Sequence, residues 1–189
     1  MDFYTLLIFV HVLGGVSVFG ALGVEVAALR SLSRADTITE ARTSMAILDE
    51  VGSFAHVAMI TVLVTGVWMM AARWGPEPWV LMALAALVAM GILGAVLTLP
   101  AMVRLEAALA VGSGAVPGNS GGLVGGPLRA SLWFRVGLAV GIVGLMTTKP
   151  GLAASFVIIG TAAVGSFGAI SARRFATHFR RFKVGGDIE

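Results

Sequence analysis

Five stretches of this chain stay apolar for long enough to cross a lipid bilayer, and that feature excludes almost every water-soluble architecture. They run from about Phe3 to Leu29, Val51 to Ala72, Pro78 to Val103, Ser131 to Thr148 and Leu152 to Ala172. An α-helix rises about 1.5 Å per residue, so roughly 20 apolar residues cover the ~30 Å hydrocarbon layer. Lipid offers no partner to a backbone N–H or C=O, so such segments must close their hydrogen bonds internally, as helices. Composition agrees: 12% of the residues are charged, about half the ~25% usual for soluble domains. The expected fold class is all-α integral membrane, a five-transmembrane-helix bundle.

Charge placement predicts its orientation. The chain has thirteen Lys and Arg residues. Arg30, Arg34, Arg42, Arg104, Arg129, Arg135, Arg173, Arg174, Arg180, Arg181 and Lys183 fall in or beside the loops after the first and third spans, or in the tail. Only Arg73 and Lys149 fall on the other side. Basic residues are retained on the cytoplasmic face, so the bundle is expected to be N-out/C-in in a bacterial inner membrane. The first run follows Met1-Asp2, lacks a cationic leader segment and is too long for a signal-peptide core, so it is expected to remain as the first helix.

Loop composition divides the chain into a three-helix unit over residues 1–110, a Gly-rich cytoplasmic linker over 111–130 and a two-helix hairpin with a basic tail over 131–189. The linker, with its VGSGAVPGNSGGLVGGP run, lacks the lysine of a phosphate-binding loop and follows a helix instead of a strand. Thr37 and Glu40 have the spacing of a capping box, which starts the second helix ahead of its apolar core. Arg73-Trp74-Gly75-Pro76-Glu77-Pro78-Trp79 combines helix breakers with two interfacial tryptophans, and Thr148-Lys149-Pro150-Gly151 is a tight hairpin turn.

The absence of cysteine removes disulfides and thiolate chemistry, leaving His, Met and carboxylates to carry any site. Ionisable groups inside a span are costly, so His11, His56 and Glu25 are the candidates for function. His11 shares a face of the first helix with Gly14, Gly15 and Glu25, an arrangement that leaves room for a flat group or a closely packed helix. Each histidine could equally serve a helix-to-helix hydrogen bond. Counted by rise per residue, His11 and His56 lie roughly 12 Å apart in depth, which disfavours one haem clamped between them. A His-plus-Met site drawing on the nine methionines, a five-coordinate site, two separate sites and no cofactor all stay open. For Glu25 a structural ion pair with Arg104 or Arg135, at matching depth, is expected.

Small residues mark close packing. Gly137, Gly141 and Gly144 on the fourth span and Gly160, Gly165 and Gly168 on the fifth are expected to serve helix contacts within the chain or across a homodimer or membrane partner. The tail from Arg173 to Lys183 spaces three phenylalanines among Arg173, Arg174, Arg180, Arg181 and Lys183. Such a segment is expected to lie on the anionic inner leaflet of the bilayer and not on nucleic acid.

The opening FYTLLIFVHVLGGVSVFGALGVEVAALRSL, a charged connector and a second span ending in Thr65-Gly66-Val67-Trp68-Met69-Met70 together resemble the bacterial membrane family called domain of unknown function 2269. More distantly, the arrangement is similar to copper-resistance D-type membrane domains and to the membrane protoporphyrinogen oxidase. That resemblance implies a haem or metal role for the first-helix His11. It does not extend to the oxidase activity, because no lysine precedes His11 and the third span carries neither Lys nor His. The leading expectation is a non-enzymatic structural or accessory membrane component. The alternatives are a haem-binding or redox-linked protein using His11 and a small-solute or ion carrier, which the absence of mid-membrane carboxylates supports poorly.

Overall fold

The first helix, α1 (Phe3–Leu32), begins where Asp2, in extended conformation, accepts a hydrogen bond at 2.9 Å from the backbone N–H of Thr5. The hydrogen bonds from Thr5 hold the exposed Asp2 carboxyl below the usual carboxylate range, as suits an anion at a helix N-terminus. In the computed structural model the described residues are 2–111 and 125–166, and all regular structure among them is helical. α1 is followed by α2 (Ile38–Met69), α3 (Pro78–Leu93), α4 (Leu99–Val111), α5 (Gly126–Thr148) and α6 (Leu152–Ser166).

Two π-helical turns, Met70–Trp74 and Gly94–Thr98, extend α2 and join α3 to α4. Prolines account for both. Pro100 has no N–H to give Val96, and its ring crowds that carbonyl, so the wider turn relieves the clash. The N–H of Leu99 accordingly reaches back five residues to Gly94 O. At the other turn Gly75 N–H donates to Met70 O at 2.8 Å, and Gly75 takes a positive φ of 69° ahead of Pro76. Pro78 then opens α3 at the first helical position, where its missing N–H costs nothing.

Four helical segments are long and apolar enough to cross a membrane: Phe3–Leu32, Ile38–Trp74, Pro78–Ala110 and Gly126–Thr148. α6 is a shorter apolar helix over its described length, so the fifth expected span is described only to Ser166. The fourth starts earlier than the expected Ser131, because Gly125 and Pro127 set a helix N-terminus there. The linker residues 112–124, Gly168 and the basic tail from Arg173 to Lys183 lie outside the described residues.

Helix starts and stops follow local chemistry elsewhere too. Thr37 Oγ1 accepts from Glu40 N at 3.3 Å, while Glu40 Oε2 accepts from Asp36 N at 3.0 Å. The box therefore closes one residue further back than the usual reciprocal pair. At the end of α5, Lys149 adopts the left-handed conformation with φ 46° and donates its N–H to Leu145 O, which turns the chain into α6.

The bundle is inverted relative to a soluble protein: Phe9, Val16, Val57, Ile60, Val96 and Val164 are each more than half exposed. An apolar surface so extensive needs a lipid solvent. The core gathers near the ends of the helices that carry the basic residues, around Leu29, Leu32, Leu48, Leu105, Leu109 and Leu132. Arg42 on α2 ties that end by donating to Leu109 O at 3.0 Å, a cation on the terminal carbonyls of α4.

α1 packs along α2, and α3 packs on α5. α5 presents its glycine face to α6. A Cβ added at Gly137 would stand 2.5 Å from Ala162 O, and one at Gly141 would stand 2.8 Å from the Ile159 side chain. At Gly144 the nearest atom, on Ile158, is at 3.0 Å. Gly160 and Gly165 meet nothing within 4 Å, so these two, unlike the α5 glycines, make no close packing among the described residues. Gly137→Ala should therefore cost about 1–3 kcal/mol through overpacking against backbone. Gly160→Ala and Gly165→Ala should stay within about 0.5 kcal/mol of the parent. Denaturant titration in mixed micelles distinguishes the two classes, and equal losses at all three positions would contradict this assignment.

Candidate functional site

Two cavities open between the helices, at opposite ends of the bundle, and each holds one of the two sequence-flagged histidines. The smaller, about 60 Å³, is lined by His11, Gly66 and Trp79 together with Met69, Met70 and Met146. The larger, about 170 Å³, is lined by Glu25, Arg135, Asp49 and His56 among apolar side chains of α1 to α5.

His11 is seated by α2. Its Nδ1 lies 2.8 Å from Thr65 Oγ1, and its Cε1 would lie 3.3 Å from a Cβ at Gly66. Thr65 Oγ1 also lies 2.6 Å from Thr61 O. A hydroxyl has one proton, and a carbonyl can only accept it, so Thr65 donates to Thr61 O and accepts from His11. The neutral imidazole therefore carries its hydrogen on Nδ1, and Nε2 keeps its lone pair. Nε2 makes no hydrogen bond among the described residues.

The glycines beside His11 divide. A Cβ at Gly14 would meet Val62 at 2.9 Å and Ala58 O at 3.5 Å, so that space is filled by α2. Gly15 meets nothing within 4 Å and makes no such contact. The room expected above His11 is thus a helix crossing, and the open volume lies on the side of Gly66 and α3.

At the larger cavity Arg135 of α5 donates to the carboxylate of Glu25 on α1, with both side chains nearly nine-tenths buried. Among the described residues this is the ion pair of Glu25; Arg104, the other expected partner, does not join it. Arg104 lies on α4, beyond the π turn that resets its facing direction. The Nε of Arg135 is buried with no acceptor among the described residues. Close by, Thr98 and Ser131 join their hydroxyls at 3.0 Å, and Ser131 reaches Leu93 O at 3.3 Å. The π turn is thereby fastened to α5. His56 is exposed and gives Nδ1–H to Gly52 O at 2.6 Å, so its neutral form also keeps a lone pair on Nε2.

The end opposite the basic loops is closed by aromatic rings and cations. Trp74 and Trp79 meet edge to face at 5.5 Å, Lys149 Nζ sits 4.3 Å from the Trp74 ring centre, and Arg73 lies 5.1 Å from the Tyr4 ring centre. Trp74 Nε1 also donates to Tyr4 at 3.2 Å. Such contacts suit the headgroup level, where a ring stays wet on one edge.

A family model described as predicted integral membrane protein (DUF2269) matches residues 5–150. The chain belongs to this family. It is a multi-pass integral membrane protein, and the match takes in both cavities and the whole of α5. No curated protein and no solved structure matches the chain.

Within this DUF2269 chain the structure sets His11 and His56 in separate cavities, so no single ligand joins them. Among the described residues no group of three or more His, Asp or Glu side chains converges on one point. Sequence reading missed Thr65 as the partner of His11, although the Thr65-Gly66 pair carried part of the family resemblance. It also missed the Thr98–Ser131 bond, which hydroxyl spacing alone cannot reveal.

Removing one member of a buried pair strands the other charge, a loss of about 3–5 kcal/mol, whereas an apolar pair of similar volume can be neutral. Glu25→Leu and Arg135→Leu should each destabilise the bundle by about that amount, and the double substitution should regain most of it. Additive losses in the double variant would show that the two side chains do not depend on each other.

Proposed function

We propose that the protein is a five-span, N-out/C-in structural or accessory component of a bacterial inner membrane, without a chemical step of its own. The observation that carries this reading is the use made of its intramembrane polar groups. Glu25 and Arg135 join α1 to α5, His11 and Thr65 join α1 to α2, and Thr98 and Ser131 join the π turn to α5. Each bond consumes polarity in fixing one helix against another, which is scaffold work.

The glycine pattern supports association with a second copy or another membrane protein. α5 spends its small residues on α6, while Gly160 and Gly165 of α6 are open among the described residues and would let another helix approach closely. The eleven basic residues around the tail and two of the loops, against Arg73 and Lys149 at the Trp74–Trp79 end, support the orientation. The basic tail would then rest on the anionic inner leaflet, and the segment between α4 and α5 would link a three-helix unit to a two-helix hairpin on the cytoplasmic side.

A photo-crosslinking residue at Gly160 or Gly165 in intact membranes should yield an adduct of higher mass, whereas one at Gly144 should not. A reporter fused after Glu189 should be active only on the cytoplasmic side. Absence of any adduct from α6, or a periplasmic tail, would overturn the corresponding half of the reading.

A second reading rests on His11. Its unpaired Nε2 shares a cavity with three thioethers, a donor set suited to a soft cation such as Cu(I). A haem does not fit this cavity, which is smaller than the ~150 Å³ that admits a single benzene ring. Purified protein supplied with haem should show no bound-haem absorbance. If the second reading holds, Cu(I) bound under reducing conditions should be lost in His11→Ala and retained in His56→Ala. Failure of the parent protein to hold Cu(I) would remove it.

A further inference from the structure

The larger cavity is not consumed by the scaffold bonds around it. Its volume, about 170 Å³, just exceeds that of an apolar protein cavity known to take up benzene, about 150 Å³. It therefore has room for one substituted six-membered ring. Its walls are mostly apolar, including Val18, Leu22, Met59 and Met90, and its polar groups are confined to Glu25, Arg135, Asp49, Ser53, His56 and Thr98.

Three observations define what such a site would recognise. First, Arg135 lines the cavity, the hydrogen bond its guanidinium makes among the described residues goes to Glu25, and its charge is already balanced there. An anion brought there would meet Glu25 and, at the rim, Asp49, so the favoured acceptor is an uncharged oxygen. Second, His56 commits Nδ1–H to Gly52 O and keeps an acceptor nitrogen. A quinol, with a hydroxyl at each end, can use both groups, accepting from the guanidinium and donating to the imidazole, whereas the quinone, which carries no donor, uses the guanidinium alone. Third, the rim residues Asp49, Ser53 and His56 are exposed on the outer face of α2, so the cavity opens sideways from the bundle. These residues stand at the start of the second span, so an occupant dissolved in the bilayer would meet the opening at headgroup level.

We infer that this cavity is a binding site for a membrane-dissolved quinone or its quinol, held by its ring between Arg135 and His56 with its apolar tail leaving past α2. The inference concerns binding alone and requires no redox step. Two glycines make it testable without replacing either polar group. Gly52 and Gly94 both line the cavity, and a Cβ at either would meet nothing within 4 Å. A larger side chain there meets no steric bar, and the cavity that both glycines border is space it would enter.

The probe is a decyl-substituted benzoquinone, titrated into the purified full chain in nanodiscs of phosphatidylethanolamine and phosphatidylglycerol. Trp133 lies two residues from Arg135, whereas Trp68, Trp74 and Trp79 lie at or near the far end of the bundle, so quenching at Trp133 reports on this cavity. Quenching should saturate, and Trp133→Phe should remove the saturable part. Gly94→Leu and Gly52→Leu should each weaken the apparent affinity by at least about tenfold, while Gly15→Ala, which lines neither cavity, should leave it unchanged. Decylbenzoate, a ring of similar size bearing a negative charge, should compete at least about tenfold less well than the quinone. Helicity and monodispersity identify a variant that has failed to fold, and the second glycine and the decylbenzoate competition each decide the matter without it. Quenching that rises linearly, as for simple partition into lipid, would overturn the inference. So would full affinity in a folded Gly94→Leu or Gly52→Leu protein. Stronger competition by decylbenzoate would show an anion site instead.

Discussion

A carboxylate and a guanidinium can both reside in a lipid-facing bundle only if they meet, and the meeting of Glu25 with Arg135 governs much of what surrounds it. It sets α5 against α1 at one depth and one rotation, although the two residues are separated by most of the chain. Once α5 is held there, Ser131 lies where it can take the Thr98 hydroxyl and reach Leu93 O. That in turn fastens the irregular turn between α3 and α4. Hydrophobic burial cannot supply such registration in a membrane, since lipid tails are as apolar as leucine. A few polar contacts and close glycine crossings must do it. The pair is thus more informative about geometry than about net stability, which matched apolar side chains could equal.

The sequence disclosed the elements better than their faces. Thr37, Pro78 and the Lys149 turn punctuate the chain by local chemistry, so the helix limits there could be anticipated from a few neighbouring residues. Rotation about each helix axis could not, because spans apolar on all sides have no amphipathic stripe to read. Gly137 and Gly160 look alike as letters, yet one abuts a carbonyl and the other opens outward. His11 and Thr65 are 54 positions apart, and nothing local announces their bond. The choice of Arg135 over Arg104 likewise depends on the π turn, which spacing arguments based on a regular helix do not include.

The two cavities divide the bundle chemically as well as spatially. One end offers an unpaired imidazole nitrogen among thioethers, soft and uncharged. The other offers a neutralised ion pair, an accessible histidine and a carboxylate at the rim. The scaffold bonds draw on both sets, so a structural role and a binding role use different atoms of the same residues. For His11 the structural atom is Nδ1 and the free one is Nε2; for Arg135 the terminal nitrogen is engaged and Nε is not.

The π turn at Gly94–Thr98 has a consequence for how this chain can change over time. A π turn places one more residue in the helix than an α-helical course would, which offsets everything downstream by about 100°. α3 therefore addresses α5 and α2, while α4, in the same continuous span, swings Leu105 and Leu109 into the core against α2. Loss of a single codon within the turn would rotate Leu105 and Leu109 away from that core and set Pro100 against a carbonyl it cannot satisfy, with the reading frame and the hydropathy profile scarcely altered. Residue number in this stretch is consequently more constrained than residue identity, the reverse of what holds along the lipid-facing sides of the same helix.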